Sequence, residues 1–105
     1  MKRIVVTPEA ERDIGAIHRR IRDEAPLAAA RWSKGIRAQI KTLARFPERS
    51  PLAPESETFD EPIRQLLYGK GSRGTDRIPF AVLEKTVFIL HFRHGSMDVL
   101  RPEDE

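Results

Sequence analysis

Five basic side chains in the last third of the chain, Arg64, Lys70, Arg73, Arg77 and Arg93, interrupt apolar runs that read as consecutive β-strands. Strand side chains alternate between faces, so a guanidinium inside such a run must leave the core or meet a carboxylate there. Cations held on so stiff a surface suit one task above others, the grip of a fixed anionic partner. His91 and His94 accompany them, but two histidines three apart on a strand point to opposite faces and cannot share a metal without distortion. No cysteine is present, which removes disulfides and thiolate metal sites or nucleophiles. The Gly-rich segment around Lys70 and Arg73 lacks the Lys-Ser/Thr sequence of a phosphate-binding loop, so neither a metal nor a cofactor is expected.

The elements that must carry these residues follow from local signals. Residues 2–6 are β-prone, and Thr7-Pro8 then supplies an N-cap and a proline suited to the first helical position. Ala10, Ile14, Ile17 and Ile21 recur at helical spacing, giving one apolar stripe. Pro26 disfavours helical geometry at Ala25, so a second helix should begin nearby, with Trp32, Ile36, Ile40 and Leu43 inward and Arg37, Lys41 and Arg45 toward water. Phe46-Pro47 should end it. A proline-containing loop follows, and then three β-rich runs: Ile63 to Tyr68, Arg77 to Leu83 and Thr86 to His94, the last two joined by a tight Glu84-Lys85 turn.

The order strand, helix, helix, strand, strand, strand predicts an α+β fold. In it a helical hairpin packs on one face of a small antiparallel sheet and leaves the other face open. An open apolar face needs a partner. A two-residue turn would pair Leu83 with Thr86, Phe80 with Ile89 and Ile78 with His91, joining Arg77 to His94 with His91 and Arg93 behind. Pro79 lacks an amide hydrogen and can mark a bulge that changes this alternation.

At 105 residues the chain fits one domain, residues 1–105, and its formal charge of +3 suits an acidic protein, a nucleic acid or the ribosome without selecting among them. Charge is segregated: residues 26–50 hold Arg31, Lys34, Arg37, Lys41, Arg45 and Arg49 against Glu48 alone, whereas residues 51–62 hold Glu55, Glu57, Asp60 and Glu61 with no base. Nothing approaches the ~20 apolar residues of a membrane span, and the N-terminal apolar stretch is too short for a signal peptide. A cytoplasmic location is expected.

Taken together, TPEAERDIGAIHRRI, LARFPERSPLAPE, IRQLLYG, the segment Asp76-Arg77-Ile78-Pro79-Phe80 and VFILHFRHGSMD resemble the RelE/ParE superfamily of type II toxins, over nearly the whole chain. The resemblance implies a toxin that arrests growth when free and is neutralised by a cognate antitoxin whose tail wraps it. It also implies one of two targets. ParE-like members poison DNA gyrase, and His94-Gly95-Ser96-Met97-Asp98 is similar to their His-x-x-Met-Asp ending. RelE-like members cut messenger RNA on the ribosome. In that alternative Arg77 and Arg93 would stabilise phosphorane charge and His94, or His91, would exchange protons, but no tyrosine follows the last strand where many such members place one. Gyrase inhibition is the reading taken, with Arg64, Lys70, Arg73, Arg77, His91 and Arg93 as binding residues. A third reading, an inactive antitoxin-binding module, is raised by Pro79 and by Asp76 where the family often has an aromatic.

Overall fold

A computed structural model describes residues 1–68 and 76–93. The chain runs β1 (Arg3–Val6), α1 (Pro8–Glu24), α2 (Pro26–Lys41), β2 (Ile63–Tyr68), β3 (Asp76–Leu83) and β4 (Thr86–Ile89), with short 3-10 turns at Thr42–Ala44, Pro47–Arg49 and Pro54–Glu57. The order is the expected one.

Thr7 caps α1, its hydroxyl accepting from the Ala10 amide at 3.2 Å and donating to the Ile89 carbonyl at 2.7 Å. The helix start is thus tied to the end of β4. Pro26 forces Ala25 out of helical geometry, at φ −150° and ψ 82°, so a single residue separates the two helices.

The sheet order is β1-β4-β3-β2. The meander β2-β3-β4 is antiparallel as anticipated, while β1 lies parallel to β4, making the sheet mixed. Parallel neighbours need a long connection, which the helical hairpin and the meander supply. Ala10 and Ile14 of α1 and Ile36 and Ile40 of α2 meet Ile78, Phe80, Val87, Ile89 and Phe92 in the main core. Trp32 packs edge-on against Phe92 with ring centroids 5.5 Å apart.

The sheet's other face is only partly open, a correction to the sequence reading. The segment after α2 folds back over it, and Ala53 and Phe59 pack on Ile63, Ala81 and Leu90. What remains is an apolar groove of about 200 Å³ lined by Phe59, Ile63, Ala81, Leu83, Phe88 and Leu90, with Thr7 and Glu61 at its margins.

Phe80 pairs with Ile89 and Leu83 with Thr86, as the tight turn requires. Beyond Pro79 the register shifts: Arg77 faces Arg93, so Ile78 and Pro79 stand against three residues, Leu90, His91 and Phe92. The extra residue is a bulge at the proline, which cannot donate to the ladder. Arg77 is therefore joined to Arg93 and not to His94, which lies outside the described residues.

Gly35 has a packing reason inside α2. A Cβ there would collide with the Tyr68 hydroxyl, which lies against the helix backbone. Alanine gains about 1 kcal/mol over glycine in a helix, while overpacking costs roughly 1–3 kcal/mol. Gly35→Ala is therefore expected to be neutral or destabilising in the parent chain and stabilising once Tyr68→Phe removes the hydroxyl. Thermal unfolding of the four species should give a coupling of about 1 kcal/mol or more; additive effects would refute the close approach.

Candidate functional site

The cations of the sheet do not stand alone. Arg77 on β3 extends toward the 3-10 turn Pro54–Glu57, where its two terminal nitrogens donate to both Glu55 carboxylate oxygens at 2.9 and 2.8 Å. Its Nη1 also donates to the Gln65 side-chain oxygen at 3.1 Å. Glu55 is 1% exposed and the Arg77 side chain 13%. This bidentate pair anchors the acidic loop to the sheet, and Arg77 exchanges both backbone hydrogen bonds with Arg93 at 2.7 Å.

His91, buried at the bulge, places Nδ1 3.0 Å from Asp13 Oδ2. The same oxygen accepts the Phe92 amide at 3.0 Å. Asp13 thus clamps the end of the last strand to α1. In the sequence it stands three residues after Ala10 and four before Ile17, on the apolar stripe, a spacing that marks an acid facing inward.

Arg64 is set apart from this group. It pairs with Phe80, so strand alternation puts it on the face opposite to Arg77, and its Nη1 donates to the Ser50 carbonyl at 2.7 Å. The structure therefore brings Arg77, Arg93 and His91 to one end of the sheet and leaves Arg64 elsewhere. Lys70, Arg73 and His94 lie outside the described residues. On α2, Arg37 reaches across to Glu11 of α1 at 3.1 Å, so one member of the basic stripe links the helices.

Chemically, the Arg77 and His91 side chains are already engaged within the protein. The Arg77 guanidinium already has a carboxylate across both terminal nitrogens, and the His91 ring has one against Nδ1. Among the described residues no group of three or more His, Asp or Glu side chains is placed to hold a metal ion. No described helix is long and apolar enough to cross a membrane.

A similar fold occurs in a solved structure, "Chromosomal ParDE TA system from P. aeruginosa". The likeness has a TM-score of 0.69 at 23% identity and covers 90% of this chain and 96% of that one. No curated protein matches the sequence. The sequence profile described as "ParE toxin of type II toxin-antitoxin system, parDE" matches residues 4–99, so the chain belongs to the family of ParE toxins of type II toxin-antitoxin systems.

Proposed function

We propose that this toxin arrests growth by inhibiting DNA gyrase and is silenced in the cytoplasm by a cognate antitoxin. One observation carries the choice of target: Arg77, the guanidinium an RNA-cutting site would aim at a scissile phosphate, is committed to a buried carboxylate. Neutralising a phosphorane would require breaking that pair inside the protein, where an unpaired charge is costly. A binding toxin has no such requirement. Arg77 then acts through the loop it holds, and Arg93, Lys70 and Arg73 are the contact candidates.

The groove between Phe59, Phe88 and Leu90 supports the antitoxin reading, because apolar side chains of a tail that folds on binding would close it. Stoichiometric toxin is expected to block supercoiling by gyrase, and added antitoxin to restore it. Unimpaired supercoiling together with codon-phased cuts of message in a translating extract would overturn the assignment. Normal colony growth on induced expression would leave only the antitoxin-binding module.

A further inference from the structure

The strongest feature unused by that reading lies at the far end of α2. Phe46 is 76% exposed, whereas the other four phenylalanines are partly or wholly buried. Its backbone is left-handed, at φ 51° and ψ 53°, a conformation that a residue with a side chain adopts only where its surroundings impose it. Leu43 and Ala44 go into the protein just before it and Pro47 just after, so the reversal turns the ring outward.

The ring borders an open cleft of about 450 Å³ whose other walls come from the N-terminus and the β3–β4 turn. Among the described residues Lys2, Arg45 and Lys85 line it with one acid, Glu48, which forms a long ion pair with Lys2 at 3.8 Å. Three cations from three separate elements thus surround one outward aromatic face.

We propose that this cleft binds single-stranded nucleic acid, with a base stacked on Phe46 and the flanking phosphates held by Lys2, Arg45 and Lys85. An acidic peptide would match the charge equally well. Peptide side chains, however, anchor in concave apolar pockets, and here the apolar group is a projecting knob. A nucleobase needs only a flat π-face beside cations, which is what the cleft offers.

Anisotropy of a fluorescein-labelled short oligothymidylate, titrated with the full chain at low salt, tests the assignment. Phe46→Ala is expected to weaken binding about tenfold at fixed salt, and Phe46→Trp to preserve it. Lys85→Ala and Arg45→Ala should each reduce the slope of log affinity against log salt by about 0.7. Phe46 and Lys85 are exposed, so matched thermal unfolding will confirm that these variants fold. Binding unchanged in Phe46→Ala, competition by polyglutamate equal to that by unlabelled oligonucleotide, or no binding at low salt would each overturn the proposal. Neither gyrase nor antitoxin is present, so the result is separate from that of the supercoiling assay.

Discussion

Glu55→Ala is expected to lower the unfolding free energy by about 3 kcal/mol, a large share of the ~5–15 kcal/mol that holds a typical domain together. The reasoning concerns what is left behind. The Arg77 side chain is 13% exposed, and both terminal nitrogens lie within 2.9 Å of the carboxylate that the substitution removes. Gln65 offers one neutral acceptor at 3.1 Å, too little to replace a bidentate ion pair. Replacing both partners by apolar residues of similar size should cost far less than removing one, because no buried charge is stranded. Urea unfolding of Glu55→Ala and of the double variant Glu55→Leu with Arg77→Met separates the cases. A single-variant loss under about 0.5 kcal/mol, the range of ordinary surface substitutions, would show that the pair does not secure the loop. Because the same loop brings Ala53 and Phe59 onto the sheet, loss of Glu55 should also open the groove assigned to the antitoxin.

That pair also shows where reading the sequence stops. Helix limits were legible where their causes are local: Thr7-Pro8 starts α1 and Pro26 divides the helices, whereas α2 ends at Lys41, short of the expected Phe46-Pro47, and gives way to the 3-10 turn Thr42–Ala44. The core stripe of Ala10 and Ile14 with Ile36 and Ile40 followed from periodicity. Glu55, by contrast, sits among prolines and acids and reads as solvated; only folding brings it to Arg77, 22 positions away. The pairing of Arg77 with Arg93 depends on one extra residue near Pro79, and a one-residue slip exchanges the faces of everything beyond it. Pro79 signalled that a bulge was available, but not that the strand would use it. The half-covered face was hidden for a related reason: a loop's composition tells that it is irregular, not which surface it lies on.

Asp13→Ala should act on a different part of the molecule and by a different route. The carboxylate receives the Phe92 amide at 3.0 Å and lies 3.0 Å from the His91 ring, so its loss removes both ties between α1 and the strand end that carries Arg93. Asp13 is about one-third exposed, and water can replace part of what is lost, which places the cost at about 1–2 kcal/mol. The larger effect is local. With Thr7 still capping α1 and holding the Ile89 carbonyl, the strand stays anchored up to that point, and opening is confined to the residues after it. Amide exchange at Phe92, which loses its acceptor, and at Arg93 should therefore accelerate by at least about a hundredfold, well beyond the roughly 5–30-fold that the change in global stability gives the amides of Val87 and Ile89. Asp13→Asn keeps an oxygen for the Phe92 amide and should recover most of that protection. Equal acceleration along the whole of β4 would mean that Asp13 contributes to the fold at large and does not clamp the bulge. Confinement to residues after Ile89 would identify an acid on α1 as the element that sets the position of Arg93.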